Sequence, residues 1–237
     1  MTLQPRQRAA AAKMDYDSGC LQWSAEDMSC KSACKTFPRQ RGSDKLVNVY
    51  TVGHSNHPIE KILSLLTGNG ITAIADVRSR PFSRRHPQFN KDRLAAMLAE
   101  RGIAYLFLGK ELGARSDDPS HYEGGKVQYS RLAATALFKS GIERVLAAAK
   151  EHRLALMCAE KEPLDCHRTL LVARALEVTG ASILHILSDG SIESQSQTMS
   201  RLIDTMRLSK HDMFQDHAAL VDAACKLRED KIAYVKD

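Results

Sequence analysis

The sequence contains no long apolar stretch. No run of residues approaches the roughly 18 consecutive apolar side chains that a membrane-spanning helix needs, and the start of the chain holds only a short run of alanines. A secretory signal peptide needs a longer apolar segment than that. We therefore expect a cytoplasmic protein with no membrane partner. In that compartment the six cysteines are expected to be reduced, so that they serve as thiols or ligands rather than disulfides.

The sequence is also poor in aromatic residues and in the motifs of several large enzyme classes. Phe, Trp and Tyr make up 5% of the chain, which leaves few rings for stacking on unpaired bases. No G-x-G-x-x-G follows the first predicted strand, and the glycine pair before Lys126 lacks the spacing and the hydroxyl of a P-loop. H-E-x-x-H and G-x-S-x-G do not occur either. These absences argue against dinucleotide dehydrogenases, P-loop NTPases, zincin proteases and α/β-hydrolases.

The length and composition are those of a globular protein with one domain and an appended segment. The chain has 237 residues, of which 43% are hydrophobic and 26% charged. Residues 1–45 show no sustained period and predict a flexible tail, and Cys20, Cys30 and Cys34 within it fit no zinc spacing. The α/β domain is expected over residues 46–237. The net charge of +6 allows an anionic small molecule or a nucleic acid as partner, and leaves the oligomeric state open.

From Val47 onwards, apolar runs typical of strands alternate with amphipathic stretches typical of helices. The predicted strands occupy residues 47–52, 71–77, 103–109, 154–160 and 181–190. The predicted helices occupy residues 58–70, 90–102, 140–153 and 165–180, and residues 193–229 form one or two closing helices. Because parallel strands need crossover connections, this order predicts an α/β fold of about five mainly parallel strands flanked by helices.

Polar side chains follow the apolar runs at the point where each predicted strand ends. In open parallel sheets, ligands bind outside the carboxyl ends of the strands. The residues at these ends are His54, Ser55, Asp76, Arg78, Cys158, Glu160 and His185. The sequence therefore predicts one polar site along this edge of the sheet.

The segment Asp165-Cys166-His167-Arg168 stands at the start of a predicted helix. With Asp165 as the N-cap, the next three residues occupy the first helical turn, where the backbone N–H groups and the dipole favour an anion. A thiol at that position ionises more easily, so Cys166 is a candidate nucleophile or metal ligand. The simpler alternatives are a capping-turn residue for Cys166 and a core residue for Cys158.

A basic loop follows the second predicted strand. Residues 78–91 contain five Lys or Arg in fourteen positions, including Arg84 and Arg85, together with Phe82 and Phe89, which can anchor the loop or stack on a ligand. Forked guanidinium groups suit phosphate, although a solvated basic loop is the simpler alternative. The long loop over residues 109–128 is typical of a lid or an insertion.

Five motifs in these regions resemble those of domain-of-unknown-function family 488, a group of small bacterial α/β proteins. The motifs are TVGHSN (51–56), DVRSRPFSRRHPQFN (76–90), YLFLGKELG (105–113), CAEKEPLDCHR (158–168) and HILSDG (185–190). The resemblance extends from Val47 to Gly190. It implies the α/β architecture and unites the strand-end residues in one site, but it implies no particular reaction.

The leading hypothesis is an enzyme that acts on a phosphate-bearing substrate, either a nucleotide or a nucleic acid. The candidate catalytic residues are Cys166, His167, Glu160, His54 and Asp76. The candidate substrate-binding residues are Ser55, Arg78, Arg84, Arg85 and Arg168. The residues alone do not identify a cofactor.

Two other classes of function stay open. The first is a zinc or iron site with Cys158, Cys166 and His54 as the main candidate ligands, and with Glu160, His167 and His185 also available. Within one helical turn adjacent ligands diverge, so we expect that Cys166 and His167 do not bind the same ion. The second is a non-catalytic nucleic-acid-binding module that uses the basic loop.

Overall fold

The computed structural model describes residues 47–208 and 216–236. The predicted flexible tail over residues 1–45, with its three cysteines, lies outside the described residues. Within these two described ranges, no helix has the length and apolar character needed to cross a membrane.

A six-stranded sheet forms the centre of the described domain. Its strands are β1 (Asn48–Gly53), β2 (Ala73–Asp76), β3 (Ala104–Phe107), β6 (Leu154–Cys158), β7 (Ser182–Ile186) and β8 (Ile192–Ser194). Their order is β3-β2-β6-β1-β7-β8, and every pairing is parallel except the antiparallel one between β7 and β8. The predicted α/β class is confirmed. Strand β8 was not predicted, because a run of three residues is too short to show a period of two.

Helices cover both faces of the sheet. They are α1 (Ile59–Gly68), α2 (Lys91–Ala99), α3 (Gly109–Leu112), α4 (Tyr129–Ala134), α5 (Ala136–Glu151), α6 (Arg174–Val178), α7 (Gln195–Thr205) and α8 (His217–Ile232). A π-helical turn over Arg168–Ala173 runs directly into α6. The long loop predicted over 109–128 contains α3 and a hairpin of two short strands, β4 (Tyr122–Glu123) and β5 (Lys126–Val127).

The alternation of side chains along the strands divides the core into two layers. In β1, Tyr50 and Val52 pack with α1 and α2, whereas Val49 packs on the opposite face with α5, α7 and the helix over residues 168–178. The same alternation points the side chain of Cys158 in β6 towards the layer that contains Val49. The strand thus directs this thiol towards the helix that begins after Cys166.

Candidate functional site

The carboxyl ends of the three central strands lie together, as the sequence predicts. The backbone N–H of His54, after β1, donates to the carbonyl oxygen of Cys158 at 2.9 Å. On the other side of β6, the N–H of Val77, after β2, donates to the carbonyl oxygen of Met157 at 3.1 Å. These bonds bring the polar residues that follow β1, β2 and β6 to one edge of the sheet.

Four side chains form a compact cluster at this edge: Cys158, Glu160, Cys166 and His167. One ligand atom of each lies within 4.8 Å of the others. The Oε2 atom of Glu160 lies 2.9 Å from Sγ of Cys158 and 3.0 Å from Sγ of Cys166. The Nδ1 atom of His167 lies 3.6 Å from the first sulfur and 3.9 Å from the second. Both cysteines and His167 are buried, and Glu160 is exposed. We call these four residues the thiol cluster.

Cys166 and His167 converge, contrary to the divergence expected from two neighbours in one helical turn. Cys166 lies before the helix, because its backbone is extended (φ −135°, ψ 139°). Helical backbone angles begin at His167. Cys166 caps the helix instead of Asp165: its Sγ accepts a bond from the N–H of Arg168 at 3.4 Å, and its carbonyl accepts from the N–H of Thr169. Asp165 forms an ion pair with Arg228.

A backbone bond orients the His167 ring towards the sulfurs. Nε2 of His167 donates to the carbonyl oxygen of Val77 at 3.0 Å, so Nδ1 is the nitrogen that faces the two thiols. Because a carbonyl can only accept, the proton of the neutral ring resides on Nε2 and Nδ1 has a free lone pair. This is the arrangement of a ring that binds a metal or accepts a thiol proton.

Arg168 is fully buried behind the thiol cluster. Its guanidinium donates to the carbonyl oxygens of Glu160 at 2.6 Å and Lys161 at 3.2 Å, and to the hydroxyl of Thr51 at 3.3 Å. All three acceptors are uncharged. The position leaves Arg168 no surface for a substrate contact, so it favours a role in positioning the 158–161 segment rather than the substrate-binding role expected from the sequence.

Burial and mutual charge shift the pKa values within the cluster in opposite directions. Burial raises the pKa of Cys158, and the nearby Cys166 thiolate adds to this effect. Burial also acts to raise the pKa of Cys166, but hydrogen bonding from Cys158 and the positive charges of Arg168 and His167 outweigh it and hold that pKa well below the usual range. Desolvation of its carboxyl group beside the two sulfurs and the charge of the Cys166 thiolate together raise the pKa of Glu160, although the residue as a whole is exposed. The cluster therefore favours one thiolate, at Cys166, even without a bound cation.

A second constellation lies beside the cluster, around Asp76 and Arg78. Oδ2 of Asp76 accepts from the Arg78 guanidinium at 2.6 Å and from the hydroxyl of Tyr105 at 2.6 Å. Nη1 of Arg78 lies 3.1 Å from Nε2 of His54, whose Nδ1 donates to the carbonyl oxygen of Ser55. Burial and the Arg78 charge lower the pKa of His54 to about 4. His54 is therefore neutral near pH 7, with both ring nitrogens already bonded, and it lies outside the thiol cluster.

A cavity of about 340 Å³ opens onto the thiol cluster. Cys158, Glu160 and His167 line one wall, and Arg78, Arg80 and Arg115 contribute positive charge to the others. Cys166, which is 1% exposed, does not line it. Arg84 and Arg85 are exposed and line none of the cavities found at this edge, whereas Ser55 lines an adjacent one.

Two residues of this region were missed by sequence reasoning. Arg115 lies in the loop over residues 109–128, where no period assigns positions to a face. Tyr105 lies in β3, whose pairing with β2 brings its hydroxyl to Asp76. Of these two residues, only Tyr105 could have been found from the sequence. It is a polar aromatic residue within a predicted strand, whereas Arg115 lies in a loop. His185 lies behind Thr51, with Nδ1 2.8 Å from its hydroxyl, and does not join the cluster.

Residues 58–175 match the family described as Domain of unknown function DUF488. The chain belongs to this family. The DUF488 match includes Asp76, Arg78 and the whole thiol cluster, while His54 and His185 lie outside the matched range. Comparison with curated proteins and with solved structures gave no match. The DUF488 description names no reaction, so the function is argued from the site.

Proposed function

We propose that the thiol cluster binds one zinc ion and that the protein is an enzyme acting on a phosphate-bearing substrate at the adjacent cavity. The observation that carries this proposal is the convergence of two sulfurs, one imidazole nitrogen and one carboxylate oxygen within 4.8 Å, at the wall of a cavity lined by arginines. Thiolate, imidazole and carboxylate groups are the ligands that zinc prefers, and zinc accepts four of them in a tetrahedron.

The distances in the cluster support one shared ion. Ligand atoms around a tetrahedral zinc lie about 3.3–3.8 Å from one another. The two distances from Nδ1 of His167 to sulfur, 3.6 and 3.9 Å, are close to this range. The carboxylate oxygen of Glu160 lies nearer to the sulfurs, at 2.9 and 3.0 Å, and needs an adjustment of roughly half an ångström. Glu160 is the exposed member of the cluster, so its side chain is free to adjust.

Charge balance also favours a divalent ion. A zinc ion with two thiolates and one carboxylate carries one net negative charge. The buried guanidinium of Arg168, whose hydrogen-bond acceptors are all uncharged, supplies the positive charge that balances it. Val77 provides the bond to the distal nitrogen that ligating histidines usually make.

The proposed zinc role differs from direct attack by the Cys166 thiolate. A nucleophile must reach the substrate, whereas Cys166 is 1% exposed and lies behind the cavity wall. The cavity is reached instead by the other three members of the cluster, of which Glu160 is the exposed one. A zinc ion held by these residues would supply Lewis-acid chemistry at the cavity. Arg80 and Arg115 would hold the phosphate group beside it.

Metal analysis of the purified full-length chain tests the zinc site. We expect about one equivalent of zinc per chain, falling below about a tenth in Cys158→Ser and in Cys166→Ser. Cys225→Ser is the matched control, because Cys225 is also buried but contacts Met199 in the core. It should keep the full zinc content. Less than a tenth of an equivalent of any transition metal in the wild-type protein would overturn the zinc proposal.

Binding of phosphate tests the role of the arginines. Inorganic phosphate should protect the wild-type protein against thermal unfolding, and the protection should disappear in the double variant Arg80→Gln, Arg115→Gln. Arg101→Gln is the control, since this exposed arginine precedes β3 at the opposite end of the strands. Equal protection of all three proteins would contradict the proposed anion site.

A further inference from the structure

Three cavities along the carboxyl edge are neighbours that share lining residues, and we treat them together as one groove. The cavity at the thiol cluster shares Arg80 and Phe82 with a cavity of about 350 Å³ near His54 and His86. On its other side it shares Arg80 and Arg115 with a cavity of about 640 Å³ beside α3. The cavity beside α3 alone has nearly twice the volume of the cavity over the cluster. A substrate larger than one nucleotide can therefore lie in the groove.

The groove has cationic side chains along its length. Arg80 lines all three cavities, and Arg115 lines two of them. Lys110 is exposed in the larger cavity, where the carboxylate of Glu111 is already paired with Arg144. Negative charge comes from Asp117 and Asp118 in that cavity and from Glu160 and Asp165 in the cavity at the cluster, where Asp165 is paired with Arg228. Cationic side chains in each of several neighbouring cavities, rather than in one alone, suit a chain of phosphates.

Phe82 is an exposed aromatic ring in the middle of this groove. Its relative exposure is 69%, and it lines both the cavity at the cluster and the one near His54. The other phenylalanine of the basic loop, Phe89, is fully buried and stacks on His54 at 4.2 Å between ring centroids. Phe89 thus anchors the loop, whereas Phe82 stays exposed at the groove. Exposed aromatic rings in cationic grooves are the means by which proteins stack unpaired bases.

We propose that the substrate is a single-stranded nucleic acid, with its phosphates along Arg80 and Arg115 and one base stacked on Phe82. This inference rests on the proposed function, because it names the substrate presented to the zinc site. A duplex fits less well, since stacking on Phe82 requires a base that is not already paired. DNA and RNA share the recognised chemistry, and the test includes both.

Fluorescence anisotropy with labelled oligo(dT) and oligo(rU) of about ten nucleotides tests this proposal. We expect both strands, or one of them, to bind at least tenfold more tightly than a duplex of equal length. Phe82→Ala should weaken binding by about tenfold, and Phe82→Trp should restore it. The variant Arg80→Gln, Arg115→Gln should reduce the slope of log affinity against log salt by about one to two. Val178→Ala is the control and should bind normally. It removes an exposed apolar side chain at the last residue of α6, which lines none of the three cavities.

Zinc content measured on the same proteins separates the two proposals. Phe82→Ala should retain one zinc, and Cys166→Ser should lose zinc while still binding the strand. Strand binding by a wild-type protein that holds no zinc would overturn the zinc site and leave single-strand recognition at Arg80, Arg115 and Phe82 standing. Normal zinc content with equal affinity for strand and duplex, an unaffected Phe82→Ala variant, or binding of an acidic phosphopeptide in place of the strand would overturn the inference alone.

Discussion

His167 donates a hydrogen bond from Nε2 to the carbonyl oxygen of Val77 at 3.0 Å, across 90 residues of sequence. This bond joins the end of β2 to the start of the helix after Cys166 and turns Nδ1 towards both sulfurs. A backbone group of one strand therefore sets the tautomer and the direction of a side chain that belongs to another segment. The proposed zinc site depends on the assembled sheet rather than on the local sequence around Cys166.

Removal of the metal should destabilise the protein. A ligand that binds only the folded state adds free energy to it, so we expect a chelator to lower the wild-type Tm by about 5–10 °C. Differential scanning calorimetry with and without the chelator measures the change. The Cys166→Ser variant should show almost no chelator effect. A wild-type Tm that does not respond to the chelator would contradict the zinc site.

Substitution of Asp76 should cost far more than substitution of its neutral partner Tyr105. Asp76→Asn leaves the nearly buried Arg78 guanidinium without its carboxylate, which costs about 3–5 kcal/mol of unfolding free energy. Tyr105→Phe removes one hydrogen bond to the same carboxylate and should cost about 1–2 kcal/mol. Urea unfolding of both variants measures the difference. Equal losses would show that the ion pair is not the dominant interaction.

His185 should make the stability of the fold depend on pH in the acid range. Burial, assisted by the charge of Arg168, lowers the pKa of His185 to about 4, while the bond to Gln195 and the charge of Glu193 oppose the shift. Between pH 4 and about 6.5, His185 is protonated in the unfolded chain but stays neutral in the folded protein. The free energy of unfolding therefore falls as the pH falls.

For this one histidine the expected slope is about 1.4 kcal/mol per pH unit. His185→Gln should remove that contribution, as measured by urea unfolding at a series of pH values. Above pH 7 the wild type and the variant should show the same slope, which serves as the internal control. An unchanged slope in the variant between pH 4 and 6.5 would rule out a neutral, buried His185.

Gly53 should tolerate no side chain. A Cβ at this position would lie 1.9 Å from the carbonyl oxygen of Glu160, the same oxygen that accepts from Arg168. Gly53→Ala must therefore displace the 158–161 segment, at a cost of about 1–3 kcal/mol and with weaker zinc binding. Gly68→Ala at the end of α1 is the control, because a Cβ there meets nothing within 4 Å. Normal zinc affinity in Gly53→Ala would show that the close approach does not matter.

The sequence predicted the sheet edge well and the details of the helix start poorly. Runs such as the one ending at Cys158 reveal strands because a buried parallel strand is apolar on both faces. Asp165 was an ordinary N-cap candidate, but the structure uses Cys166 as the cap and pairs Asp165 with Arg228 of α8. A partner that lies 63 residues away leaves no mark on the local pattern. For the same reason, the positions of Arg84, Arg85 and Arg115 in loops could not show that Arg115 lines a cavity and the other two do not.

The alternation of apolar runs and amphipathic stretches was sufficient to determine the α/β class, because burial of strands and helices requires those periods whatever the partners are. It also determined that Cys158, Asp76 and His54 stand at the same edge. Tertiary structure alone decided that the ligand atoms of Cys158, Glu160, Cys166 and His167 lie close together. It also decided that His54 contacts Arg78 and that His185 contacts Gln195 instead. The reason is that side-chain convergence depends on backbone angles and long-range hydrogen bonds, such as the one from His167 to Val77, which form only when the segments meet.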